Sequence, residues 1–498
     1  MDKSPRSDLK TGVPGVPERL LDRRHLLVGG KWERPAAGGV IEVVSPSTEE
    51  AIGTAPEAGP VDVDRAVQAA RAALDDGWWG TAETAARADV LDRAWALLSE
   101  RLDGVPELVT AEMGVPITSS RMANGQGVLR IARYATDTAR VHPMREEIDS
   151  AVPAVVLREP VGVVAAIAPW NGPFNQAMYK VAYPLLAGCP VVFKPSPETP
   201  LDAFVIAEAL MDAGLPEGLL SVLPGGPEVG RALVAHRFVD KVSFTGSAGV
   251  GREIGSVCGS KLAHAALELG GKSAAIVFDD ADLEAVVPSL IAGVFSNAGQ
   301  VCAATSRILV SRRRHENLVE GLVAAARALR VGDPFDERTQ LGPLVAERQR
   351  ERVESYVALG LAEGARLVTG GRRPAHLDRG WFIEPTVFDH VDNRSRLAQE
   401  EIFGPVVVVS TFDDHEQAIA LANDTVYGLN GSVYTQDEAL AFDVARRIRA
   451  GTFTVNGFCI NMEAPFGGRG DSGLGRKFGF HGLESFFELK TINLPARG

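Results

Sequence analysis

Between residues 161 and 278 the sequence alternates short, continuously apolar runs with helical patterns, and few folds accept that alternation. The runs are VGVVAAIA (161–168), CPVVFK (189–194), LLSVL (219–223), VDKVSFT (239–245) and SAAIVF (273–278). Runs of this kind, bounded by turn residues, read as buried strands. Helical stretches such as PLDAFVIAEALMDAG, ended by glycine, lie between them. Strands alternating with helices in this way predict a parallel sheet covered on both faces.

The flanking segments differ in texture. Residues 1–24 read as a flexible arm, and about 61–140 as helices with apolar residues at three- and four-residue spacing. A second α/β series follows, with strands at RILVS (307–311), PVVVVST (405–411), GSVYT (431–435) and GTFTVN (451–456). Its helices are expected near 314–330, 344–363, 414–423 and 437–450. The end, FFELKTINL, reads as an exposed apolar strand with no partner in view, which suggests pairing across a subunit interface.

Composition removes several function classes. A length of 498 residues allows two to four domains. A net charge of −13 opposes nucleic acid or an anionic membrane as the main partner. Cys189, Cys258, Cys302 and Cys459 lie far apart without a CxxC pair, which suits a reducing, cytoplasmic setting and implies neither disulfides nor zinc. The N-terminal stretch is polar and acid-containing, unlike a secretory or organellar signal. No apolar run approaches the roughly 18 residues of a membrane span. The nine histidines show no HExxH or paired-ligand spacing, so no metal is expected.

Two glycine motifs mislead. GGRGDSG contains G-x-G-x-x-G at Gly468, Gly470 and Gly473, but too little chain remains to complete a βαβ unit. ELGGKS fails as a Walker loop because its first glycine position is Ala266. Better phosphate candidates are FTGSAGVG, with Gly246 and Ser247 between a strand and a helix, and LPGGPEVG, with Gly225 and Gly226.

FSNAGQVCAATSR places Cys302 among small residues, where cysteine is either a small buried hydrophobe or a nucleophile. Glu268, in the mostly apolar ALELGGK, is a candidate base; Asn171, in PWNGPFN just past the first strand, is a candidate oxyanion donor. Residue chemistry alone leaves open a thiol hydrolase pairing Cys302 with His264, and a non-catalytic nucleotide-binding protein.

PWNGPF, FKPSPETP, FTGS, LELGGKS, FSNAGQVCAATSR, EEIFGPV, NGF…PFGG and SGLGR occur in this order, and from about residue 25 to the C-terminus the chain resembles the aldehyde dehydrogenase superfamily. The resemblance implies an α/β fold with a Rossmann-type cofactor domain (1–135 and 158–270), a second α/β catalytic domain (271–470) and a small oligomerisation β element (136–157 and 471–498). It implies a homodimer or homotetramer acting on a small-molecule aldehyde with NAD, NADP being possible. Cys302 would attack the carbonyl, Asn171 and the Cys302 N–H would hold the oxyanion, and Glu268 would activate the hydrolytic water. Lys180 matches a lysine in the family's proton path. Trp170, Lys194, Gly225, Gly246, Ser247, Glu401 and Phe403 would contact the cofactor. A CoA-acylating relative is disfavoured because such enzymes typically lack the base that Glu268 supplies.

Three departures from the family pattern stand out. A glutamate usual three residues after the ribose lysine is Pro197 here, with Glu198 next door. Gly-Arg-Glu near the C-terminus reads Gly475-Arg476-Lys477, and Glu268 with Lys180 is expected to suffice for hydrolysis. Gly172 replaces a bulky residue after Asn171, widening the mouth of the site. With Tyr179, Val301, Phe458 and Phe466 nearby, this predicts a medium or bulky apolar or aromatic aldehyde.

Overall fold

The computed structural model of the protein describes residues 12–495. Two large sheets dominate it. The first runs in the order Gly473–Leu474, His264–Glu268, Lys241–Thr245, Val164–Ile167, Val191–Lys194, Leu220–Val222, Leu26–Val28, Lys31–Glu33. Its five central strands are parallel, and antiparallel pairs close both edges. Val164–Ile167 and Val191–Lys194 are buried at every residue, which is why they carry no polar alternation.

The second sheet runs Arg366–Thr369, Thr386–Asp389, Val406–Phe412, Arg307–Ser311, Ala274–Val277, Gly431–Tyr434, Thr454–Val455. The last of the five apolar runs, Ala274–Val277, thus joins the second sheet. Three of its neighbouring strands are buried at every residue: Ala274–Val277, Arg307–Ser311 and Gly431–Tyr434.

The terminal strand Phe487–Asn493 has a partner after all, in its own chain: it pairs antiparallel with Ala154–Pro160, which pairs with Arg145–Ile148. Its outer edge stays unpaired and exposes Leu489 and Ile492. The flexible arm expected over 1–24 falls partly outside the described residues. Its described part is packed, with Val16 and Leu20 buried and Asp22 bridging to Thr54.

The parallel strands place the site. Asn171, Lys194, Gly246 and Glu268 all follow or end strands at one edge of the first sheet, and Thr245 pairs in register with Glu268. Open α/β sheets bind ligands at that carboxyl edge. The GGRGDSG segment forms no nucleotide loop. Gly473 pairs antiparallel with Glu268 at φ +125°, where a Cβ would sit 1.8 Å from the Leu267 carbonyl oxygen. Only glycine permits that approach, and it carries the following residues back toward Glu268.

Candidate active site

Cys302 follows the helix Leu283–Phe295 and a tight turn in which Asn297, Ala298 and Gly299 are all left-handed. Two amides hold this costly backbone. Asn297 Nδ2 donates to the Asn171 and Gln300 carbonyls (3.1 and 3.3 Å), and fully buried Gln300 donates from Nε2 to the Asn297 carbonyl (3.0 Å). Gln300 Oε1 also accepts from the Val345 N–H at 2.9 Å. Asn171 Nδ2 donates to the Gln300 carbonyl at 2.9 Å, so one amide hydrogen fixes the side chain and the second stays available. Gln300→Leu is expected to strand the buried Val345 N–H and lower stability by about 1–3 kcal/mol; a thermal melt checks this, and an unchanged Tm would overturn it.

The thiol is half-buried. Burial pushes its pKa up to about 11, against the pull of the Lys477 ammonium and the Ala303 N–H. Glu268 is buried, with Oε2 unpartnered and 3.9 Å from Lys477 Nζ. Burial raises its pKa to about 7, while Lys477, Lys180 and Arg476 oppose the rise. Lys180 lies on the helix Pro173–Ala187 and donates to the Ser243 carbonyl (3.2 Å) and hydroxyl (3.1 Å). Burial, then the Lys477 charge, lowers its pKa to about 7. Glu268, Lys180 and Lys477 border a small, partly open chamber of about 30 Å³, enough for a water molecule.

Two larger volumes are lined by consecutive residues of the segment 170–172. A cleft of about 940 Å³ is lined by Trp170, Lys194 and Gly246 and walled by apolar residues such as Val234, Val250 and Ile254. Ser247 caps the helix Ala248–Ser260 beside it, and Gly225 precedes the lining Gly226. Buried Lys194 donates to the Pro195 carbonyl, and Glu198 is held by Ser196 and Arg348. Phe403 meets Trp170 edge-on, with ring centroids 5.3 Å apart. Glu401 Oε1 accepts from the Gly271 N–H at 3.2 Å, and a Cβ on Gly270 would come within 2.1 Å of its other oxygen. Burial pushes Glu401 to about 7.

On the other side, a cavity of about 510 Å³ is lined by Asn171, Gly172 and Val301 with Met113, Met122 and Phe295 among others, and none of its lining residues is charged. Tyr179, Phe458 and Phe466 lie outside this lining. Tyr179 and Phe466 instead surround Lys477, while Phe458 stands over Gly293.

A profile of the aldehyde dehydrogenase family matches residues 32–492. The chain belongs to the aldehyde dehydrogenase family. Geranial dehydrogenase of Castellaniella defragrans is 41% identical over 476 residues, covering 95% of this chain and 99% of that protein. Betaine aldehyde dehydrogenase 1 of Rhizobium meliloti is 41% identical over 468 residues, covering 93% and 96%. Among solved structures, Mycobacterium tuberculosis aldehyde dehydrogenase complexed with NAD+ superposes with a TM-score of 0.94 at 46% identity, covering 96% and 99%.

For an aldehyde dehydrogenase, the cleft suits a dinucleotide. It joins apolar walls to a buried lysine and a helix N-terminus, the features a nucleoside and a pyrophosphate require. The pairing of Cys302 with His264 fails: His264 is exposed at the start of its strand and binds Glu488 at 2.5 Å. The chain's own departure, Lys477, is brought to the centre of the site. Sequence reasoning missed Gln300 and Asn297, whose only signal is that amides interrupt an otherwise small-residue stretch. It also missed a cluster of His315, Asp389 and His390, whose ligand atoms lie within 4.8 Å of one another. That cluster stands at the C-terminal end of Thr386–Asp389, at the end of the second sheet away from Cys302.

Proposed function

We propose that the chain oxidises a neutral apolar or aromatic aldehyde of medium or bulky size to its carboxylic acid with NAD+. The observation that carries this reading is a half-buried thiol within electrostatic reach of a buried carboxylate, with Asn171, which keeps a spare amide hydrogen, and Val301 lining an uncharged cavity and Trp170 a dinucleotide-sized cleft. Lys194, Trp170, Gly225 and the Gly246–Ser247 helix start would hold the adenosine and pyrophosphate, with Glu401 and Phe403 toward the nicotinamide ribose. Glu198 lines the cleft in an ion pair with Arg348, and the NAD+ complex of a related structure favours NAD+ over NADP+.

Cys302, as thiolate, adds to the aldehyde carbonyl to form a thiohemiacetal. The second Asn171 amide hydrogen and the Cys302 backbone N–H hold the oxyanion. When bound, NAD+ accepts the hydride whose loss leaves a Cys302 thioester. Glu268 takes a proton from water as that water attacks the thioester, and Lys180 and the adjoining chamber carry the proton onward. Asn171→Ala is expected to lower kcat by about 10²–10³-fold, the usual loss for one oxyanion donor, with cofactor affinity unchanged.

The same reading gives residues 1–135 and 158–270 to the cofactor, 271–470 to catalysis, and 136–157 with 471–498 to pairing of subunits through the open edge of Phe487–Asn493. Four unpaired thiols fit a cytoplasmic setting. No helix among the described residues is long and apolar enough to cross a membrane. The test is formation of reduced cofactor with NAD+ and NADP+ in parallel, across aliphatic, aromatic and acidic aldehydes. Octanal or benzaldehyde should exceed succinic semialdehyde in kcat/KM; the reverse order overturns the substrate class.

A further inference from the structure

Lys477 is a cation of the site that the reaction above does not use. Its Nζ lies 5.1, 4.8 and 5.0 Å from the ring centroids of Tyr179, Phe466 and Phe478, 3.4 Å from the Tyr179 hydroxyl and 3.9 Å from Glu268 Oε2. Phe478 is held edge-on to Tyr179, with centroids 4.8 Å apart, so the three rings form a packed box. Boxes of this kind are how proteins bind alkylammonium groups. Here the chain's own side chain fills it.

We propose that Lys477 determines the charge of the substrate: its ammonium occupies the only aromatic box found beside the thiol among the described residues and excludes cationic aldehydes, reserving the site for neutral ones. The inference rests on the reading of Cys302 as the nucleophile toward aldehydes. Three features support it. Among the described residues Glu268 is the one acid within ion-pair range of Lys477, and Lys180 and Arg476 already act on that same carboxylate. Lys477 is the cation whose charge acts on the thiol, where the carboxylates of Glu401 and Glu268 oppose it. The approach cavity carries no acid that could offset that charge. The ammonium also stays protonated, because Tyr179, Glu268 and Cys302 outweigh its burial.

The test uses two aldehydes of the same shape and different charge: betaine aldehyde, with a trimethylammonium group, and 3,3-dimethylbutanal, with a tert-butyl group in its place. Each kcat/KM is corrected for the hydrated fraction and measured on the full chain with saturating NAD+. Like charges a few ångströms beyond contact, at an effective dielectric near 20, lower the rate by roughly 100-fold, so the neutral aldehyde should lead by about that factor. Lys477→Met should shrink the ratio at least tenfold, and Lys477→Arg should preserve it. A wild-type ratio near one overturns the proposal. So does a Lys477→Met variant in which both rates fall together, since that is what a structural role alone produces.

If Lys477→Met does not fold, choline and 3,3-dimethylbutan-1-ol serve as inhibitors of the wild-type protein. The neutral alcohol should bind tighter by at least tenfold, and equal inhibition constants overturn the proposal. Failure of the underlying reading looks different: no aldehyde of either charge would be oxidised, and Cys302 would not be labelled by an aldehyde-competed thiol reagent. The proposal falls with it in that case.

Discussion

Cys302→Ala is expected to lower aldehyde-dependent formation of reduced cofactor by about 10⁴–10⁶-fold, to the level of a blank, since loss of a covalent nucleophile is not compensated by its neighbours. Dinucleotide binding should survive, because the cleft is lined by other residues and the thiol is not among them. Turnover above the blank in the variant would remove Cys302 from its role. The thiol's pH dependence is a separate check. With its pKa pushed up to about 11, Cys302 is mostly protonated at neutral pH in the unliganded protein. Its alkylation by iodoacetamide should therefore rise about tenfold per pH unit from pH 7 to 9, following the thiolate fraction. A rate already flat at pH 7 would mean that Lys477 and the Ala303 N–H overcome the burial.

The second large effect is at Glu268. Glu268→Gln should leave one equivalent of reduced cofactor per site and then slow steady turnover by about 10²–10⁴-fold, because Glu268 acts on the water that hydrolyses the thioester, after the hydride has left. The sign of the pH effect follows from burial. The carboxyl titrates near 7, above its ordinary 4.5, so it is a base above that pH and a spent acid below it. Wild-type kcat should climb through pH 7, and the Gln variant should lack that limb. A wild-type profile flat from pH 5 would exclude Glu268 as the base. With Lys477 in place of an acid, wild-type protein is still expected to turn over continuously, since Glu268, Lys180 and the water-sized chamber complete a proton path. A burst followed by negligible turnover in the wild type would overturn that.

The strands at 164–167, 191–194 and 274–277 were legible because both faces are buried and the residues are mostly apolar, and that at 241–245 because Val242 and Phe244 are buried in it. His264–Glu268 was not read as a strand. It starts exposed and ends on a buried carboxylate, so its pattern is neither alternating nor continuously apolar. The strands at 26–33 and 39–57 were missed for a related reason: they are short or half-exposed, and charged residues interrupt them. At the site, the motif order identified Cys302, Glu268 and Asn171 as candidates. The pocket residues were harder. Tyr179 and Phe466 were expected at the substrate, but they turn toward Lys477, a residue distant from Tyr179 in the chain.

The α/β class, the edge of the sheet where chemistry gathers, and the candidates for nucleophile, base and oxyanion donor could be read from the sequence. Each of these follows from local patterns: burial on both faces makes apolar runs, and a βα turn at a strand end makes a site. Only the tertiary structure decided what surrounds those groups. Gly473 lets one strand close against Glu268, and that contact carries Lys477 into an aromatic box beside the carboxylate. Charge, burial and proton affinity at the site depend on atoms within a few ångströms in space. Those neighbours are set by the packing of distant segments, which no local pattern in the chain records.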